Sequence, residues 1–202
     1  MINDASKQVI KNFKADVFVE TGFFRGQTAV VVRSWDKDIN IVEVEINPEY
    51  CQYGESIFKN DKNTNIIQGD SGVFLLNNIE MFREYENPVF YLDAHWDPNN
   101  WQLRNEIKNI CRLKSPIIII DDFKTPNPDG TISDRHGYDS YNGQDCDREY
   151  IEDLIKPHTD CVLYAKEPTI DGQGSGFIFV NRYYDDIVNK VNLDDFIVER
   201  LK

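Results

Sequence analysis

The chain has 202 residues, 41% of them hydrophobic and 12% aromatic, enough for one domain with a sizeable core and cramped for two. Its 22 lysines and arginines against 35 aspartates and glutamates leave a net charge of −13, which repels phosphate backbones and anionic lipid. Nucleic acid and membrane are therefore excluded as partners, and a small molecule or a protein is expected. Cys51, Cys111, Cys146 and Cys161 lie far apart with no C-x-x-C pair, and no N-terminal stretch reads as a signal peptide. Reduced thiols in a cytoplasmic compartment are expected. No apolar run nears the roughly 20 residues of a membrane span.

In chain order, residues 3–14 suit an amphipathic helix and "ADVFVE" (15–20) a first strand. "GQTAVVVRSW" (26–35) has the valines of a strand, but it follows a Gly-punctuated turn and precedes the β-run "INIVEVE" (39–45). That position favours a crossover helix. Asn47-Pro48 opens a helix to about Lys59, since proline is tolerated in a first turn. "TNIIQG" (64–69) is the third strand, Ser71 to Asn78 a helix, "PVFYLD" (88–93) strand four, 100–113 a helix and "PIIIIDD" (116–122) strand five. The isoleucine run fits a strand covered on both faces, as in a parallel sheet. Residues 123–147 are rich in Pro, Gly, Asn and Asp without a period, as in a lid or binding loop. A helix near 148–156 follows, then "CVLYAKE" (161–167) and "GFIFVNR" (176–182). The connection between these last two is too short for a parallel crossover and makes them an antiparallel pair. Residues 183–202 read as a C-terminal helical extension, packed on the body or on a second copy in a homodimer.

Five β-runs joined by helices and closed by an antiparallel hairpin describe a doubly wound α/β sheet, which binds ligands beyond the carboxyl ends of its strands. Strand one ends in "ETGFFRGQTA", where Gly22 and Gly26 flank a tight turn into a helix N-terminus. An ordinary strand–helix turn has the same look. Strand two ends at Glu45, which is either a solvated strand end or a carboxylate for both hydroxyls of a ribose. Together the two ends favour a nucleoside-bearing cofactor. Phe24 stands where a dinucleotide fingerprint needs its second glycine, so a ligand without a diphosphate fits better than NAD.

"ETGFFRGQTA", "VEINPEY", "QGDS", "FYLDAHWD" and "IIIIDDF" resemble, in order and spacing, the motifs of class I S-adenosylmethionine-dependent methyltransferases, most closely the metal-dependent O-methyltransferases of the catechol and macrocin types. The resemblance runs from about residue 15 to 182. It implies one Rossmann-like domain over 1–202, with a seven-stranded sheet of order 3-2-1-4-5-7-6, strand 7 antiparallel and helices on both faces. It also implies that Glu20, Gly22, Phe24 and Gly26 surround the methionine moiety of the cofactor, with Thr28 near its carboxylate. Glu45 would hold the ribose, Ile46 and Ser71 flank the adenine, and Asp70 sit at its edge.

Asp93 ends strand four and Asp121-Asp122 end strand five. If those strands are neighbours, three carboxylates converge and need a counter-cation, unless they are merely solvated ends. Oxygen-only ligation selects Mg²⁺ or a similarly hard ion. In the resembling families such a metal holds a hydroxyl or diol beside the methyl donor, so Asp93 is expected to act in cofactor binding, metal binding and catalysis. His95, two residues on, points the same way if the chain stays extended and is the candidate base; stacking on adenine is the other role open to it. Catechol-type members carry a lysine just after this tryptophan, where this chain has Asp97.

Only about 14 residues precede strand one, fewer than the helical cap of these enzymes. The 123–147 loop is therefore expected to supply substrate contacts through His136, Tyr138, Tyr141 and Asn142, although loop tyrosines also serve as anchors. The expected function is Mg²⁺-dependent O-methyl transfer to a hydroxyl of a small molecule, a sugar or a phenol. The competing readings are a methyltransferase-like binding module without catalysis and an NAD-linked oxidoreductase.

Overall fold

A computed structural model describes residues 2–94, 101–127, 129–133 and 136–201. Its elements are α1 (Asp4–Asn12), β1 (Val17–Thr21), α2 (Gln27–Trp35), β2 (Asn40–Glu45), α3 (Pro48–Ile57), β3 (Thr64–Gln68), α4 (Ser71–Asn78), a 3-10 turn (Ile79–Phe82), β4 (Pro88–Leu92), α5 (Leu103–Ile110) and β5 (Ile117–Ile120). There follow a small hairpin of β6 (Ser140–Tyr141) and β7 (Gln144–Asp145), then α6 (Arg148–Ile155), β8 (Cys161–Ala165), β9 (Gly176–Phe179), α7 (Tyr184–Val188), a 3-10 turn (Leu193–Asp195) and β10 (Phe196–Arg200).

Local chemistry sets the helix starts. Asn47 accepts from the Glu49 N–H and Pro48 occupies the first turn of α3. Asp70 caps α4 by accepting from the Val73 N–H. The crossover helix expected over 26–35 is present as α2.

The large sheet has the order β3-β2-β1-β4-β5-β9-β8-β10. β1 pairs in parallel with both β2 and β4, so the topological switch point lies between β1 and β4. The expected order 3-2-1-4-5-7-6 is thus found, with β9 antiparallel to both β5 and β8. One apolar layer, with Phe18, Tyr91 and Ile119 from the sheet, packs under α1, α2 and α7. The other, with Val19, Phe90 and Ile118, packs under α4, α5 and α6. Among the described residues no helix is long and apolar enough to cross a membrane.

Two expectations are corrected. The 183–202 segment is not a helical extension. α7 ends at Val188, and β10 adds an eighth strand antiparallel to β8, so the sheet is not seven-stranded. The Phe-Ile-Val run has the β-branched and aromatic character that suits a strand, and the open edge of β8 offers it a full ladder. Phe196 is buried with its ring 5.3 Å from Phe177, and Glu199 is held by the Tyr164 hydroxyl and by Arg148. The helix expected over 100–113 stops at Ile110, although Leu113 beyond it is still buried.

Candidate active site

The strand register stacks the functional residues in rows. Glu45, Gly22, Asp93 and Asp121 follow the last residues of their pairings, and the ladder continues through them. Gly22 donates its N–H to Val44 O, Asp93 to Thr21 O and Asp121 to Leu92 O. One pleat below lie Glu43, Glu20 and Tyr91, cross-strand neighbours on β2, β1 and β4.

Gly22 is the tight point of the turn after β1. Its φ is +88°, and a Cβ there would come 2.4 Å from the Asp93 carbonyl oxygen. Phe24 also adopts a left-handed conformation, with φ +48°. Its N–H donates to Glu45 Oε2 at 2.8 Å, while the Asn47 N–H donates to Glu45 Oε1 at 2.7 Å. Glu45, 6% exposed, is therefore no solvated strand end but a carboxylate fixed by two loops. The Phe24 ring is half exposed and meets Tyr50 edge-on at 4.8 Å.

Gly22, Phe24, Glu45, Asn47, Tyr50 and Asp93 line a cleft of ≈ 510 Å³. The structure thus brings four of the expected cofactor residues together. Glu20 and Thr28 lie buried beneath and hydrogen-bond to one another. Gly26 caps α2, Ile46 follows β2 half exposed, and Asp70 and Ser71 form the turn from β3 into α4. Asn47 and Tyr50 were not expected in the lining; their signal was their place in the first turn of the helix after Glu45.

At the β4 and β5 ends the Tyr91 hydroxyl donates to Asp121 Oδ2 at 2.6 Å, and Asp121 is buried. Burial, then the charges of Asp121, Asp122 and Glu20, raise Asp93 well above the usual carboxylate range. Burial and the charges of Asp121 and Asp139 push Asp122, itself in a left-handed conformation at φ +51°, up to about 7. This crowding of negative charge, all of it on oxygen donors, has the chemistry of a hard-cation site. As they stand the three aspartates are not gathered around one point: among the described residues no group of three or more His, Cys, Asp or Glu side chains is arranged to hold a metal ion. Period two from Asp93 would have pointed to Tyr91. Glu106 carries a similar signal, an acid on the apolar face of α5. It is buried, approached by the Ser71 and Thr21 hydroxyls, and pushed by burial up to about 7.

His95, with Trp96 and Asp97, lies outside the described residues. In the 123–147 loop, His136 is buried with Nδ1 2.6 Å from Thr125 Oγ1. Tyr138 lies under the Lys124 ammonium, and Tyr141 meets the edge of Trp101, which stacks on Tyr150 at 4.6 Å.

No protein-family model and no curated protein matches the chain. Solved structures do match. A caffeoyl-CoA O-methyltransferase-like protein from Staphylococcus aureus is similar at 18% identity, with a TM-score of 0.62 over 89% of this chain and 85% of that one. The O-methyltransferase TomG from Streptomyces achromogenes, solved with S-adenosylmethionine, is similar at 14% identity, with a TM-score of 0.59 over 90% and 82% of the two chains. The methyltransferase domain of bacterial CtHen1 gives 15% identity and a TM-score of 0.54 over 88% and 96%. The chain therefore has the Rossmann-like fold of class I methyltransferases, and its cleft opens at the switch point of that fold.

Proposed function

We propose that this chain is an S-adenosylmethionine-dependent O-methyltransferase that moves a methyl group to a hydroxyl of a small molecule, a sugar or a phenol- or catechol-like compound. The observation that carries the reading is the meeting of the left-handed Gly22 turn, the fixed Glu45 carboxylate and Asp93 on one cleft. A carboxylate that accepts one backbone N–H on each oxygen keeps further lone pairs, which suit the two hydroxyls of a ribose. The solved structures that share the fold include O-methyltransferases, one of them in complex with this cofactor.

In the transfer, the methyl carbon leaves the sulfonium sulfur, which keeps the bonding pair, and bonds to the acceptor oxygen as the hydroxyl gives up its proton. Asp93, which lines the cleft, is one group proposed to take that proton where no cation is bound to it. His95 is the other proposed base. Asp93, Asp121 and Asp122 would hold Mg²⁺, whose charge would offset theirs and favour loss of the acceptor's proton. Tyr138 and Tyr141 are proposed to face the acceptor, with His136 holding the loop through Thr125.

Calorimetric titration with S-adenosylmethionine, followed by transfer of a labelled methyl group to a panel of sugars, phenols and catechols with and without EDTA, tests this. Binding that is weakened in Glu45→Ala, together with turnover on any hydroxyl, supports the reading. A folded chain that binds no S-adenosylmethionine overturns it, and turnover indifferent to EDTA removes the metal.

A further inference from the structure

The row beneath the cleft contains an arrangement that cofactor binding alone does not require. Glu43 on β2 and Glu20 on β1 are direct cross-strand neighbours; Glu43 is fully buried and Glu20 is 2% exposed. Both Glu43 oxygens and Glu20 Oε2 are buried without a hydrogen-bond donor, and the two carboxyl groups act on one another. Two carboxyl groups can rest side by side in this way only when they carry protons, because an ionised carboxylate has no donor to offer the other.

The groups that face the pair are the Thr28 hydroxyl from α2, Tyr91 from β4, Ile66 as the β3 neighbour of Glu43, and the acids Asp93 and Asp121 at the β4 and β5 ends. One strand, β1, separates Glu43 on β2 from Asp93 at the end of β4, and the proton affinity of Glu43 is set by burial and by Glu20. The cleft row lies about 7 Å above, the length of one two-residue pleat.

We infer that Glu43 makes this cleft sensitive to the charge of its ligand and so sets its preference for methyl donor over demethylated product. The inference rests on the reading of the cleft as an S-adenosylmethionine site. Without a cation above it, the Glu20–Glu43 pair keeps both its protons at neutral pH and carries no charge. The donor brings a sulfonium that its product, S-adenosylhomocysteine, lacks. When the donor binds, Glu43 releases its proton to solvent and the pair faces the sulfonium with one negative charge. When the methyl group has left and the sulfur is neutral, the pair takes a proton back and the extra attraction is gone. Burial pushes Glu43 up to about 8, so the exchange falls in the neutral to mildly alkaline range. A unit charge at this range, in a medium of intermediate dielectric, shifts affinity on the order of ten-fold.

The test is calorimetric titration of the full chain with S-adenosylmethionine and with S-adenosylhomocysteine, in buffers of different ionisation enthalpy, from about pH 6 to about pH 9. Donor binding should release protons that product binding does not. The donor-to-product affinity ratio should rise with pH, by up to about ten-fold. Glu43→Gln should bind both compounds, lose the extra proton release and flatten the ratio, whereas Glu43→Asp should restore the slope. Equal proton counts for donor and product in the wild-type chain overturn the inference even if no variant folds. So does a slope retained in Glu43→Gln, because the protons then come from Asp93 or Asp122. If neither compound binds, the cofactor reading falls and this inference with it; if both bind with a flat ratio, only this inference falls.

Discussion

At the scale of single residues, Glu45 bonds two backbone N–H groups while lining the cleft. Glu45→Ala should weaken S-adenosylmethionine binding by about 1.5–3 kcal/mol, the scale for hydrogen bonds to a charged group. Unchanged calorimetric affinity in a folded variant would take Glu45 out of the site. The Tyr91 hydroxyl lowers the proton affinity of Asp121 against the rise that burial imposes. Tyr91→Phe should therefore destabilise the chain by about 1.5–3 kcal/mol where Asp121 is ionised and by less where it is protonated. Urea unfolding at acid and alkaline pH reads the difference, and an equal loss at both would mean that Tyr91 acts by packing alone. Asp122→Ala relieves repulsion among crowded acids, so the metal-free chain should gain on the order of 1 kcal/mol, and any rise in melting temperature caused by Mg²⁺ should vanish. A wild-type melting temperature that ignores Mg²⁺ counts against the metal.

At the scale of elements, the turn after β1 and the strand β10 make separate claims. Gly22→Ala places a Cβ in a left-handed backbone and against the Asp93 carbonyl. It should cost a few kcal/mol and abolish cofactor binding, as thermal unfolding and calorimetry would show. Phe196→Ala should cost about 3 kcal/mol through lost burial on Phe177. It should leave cofactor affinity untouched, because β8, β9 and β5 stand between β10 and β4; a cofactor defect there would show coupling across the sheet. The first of these elements was legible in the sequence: a β-run ending in Gly-x-x-x-Gly before an amphipathic stretch allows few other turns. β10 was not, because isolated residues 183–202 carry a helix-like spacing of apolar groups, and only the open edge of β8 decides for a strand. Glu43 was hidden for a related reason. Alternation in "VEVE" reads as a strand with one wet face, whereas β2 is buried on both faces from Ile41 onward. The acid row at Asp93, Asp121 and Asp122 was legible from the strand ends, but the Tyr91 hydroxyl that satisfies Asp121 needed the register.

At the scale of the whole molecule, acids with raised proton affinity lie on both sides of the sheet in a chain of net charge −13. Their folded-state proton affinities exceed the unfolded ones, so the stability they contribute is fully present below the unfolded values, 3.8 for Asp122 and 4.5 for the glutamates, and is lost as pH rises. The loss runs through about 7 for Glu106 and Asp122 and about 8 for Glu43. Each such proton costs about 1.4 kcal/mol per pH unit within its window. Partly buried Asp61, lowered by its backbone, Thr64 and Arg33 bonds, works the other way at low pH. The ligand-free chain should therefore melt highest on the mildly acid side and fall steadily toward alkaline pH, and a flat profile in scanning calorimetry would contradict the burial of these groups. The stack of Trp101 on Tyr150, with the β6–β7 hairpin residue Tyr141 against its edge, has a use in optical terms. A chain in which Trp35 and Trp96 are replaced by phenylalanine keeps a single indole, wedged between α6 and the 123–147 loop. Its emission maximum and quenching would then record in real time whether that loop is seated or lifted as ligands enter and leave.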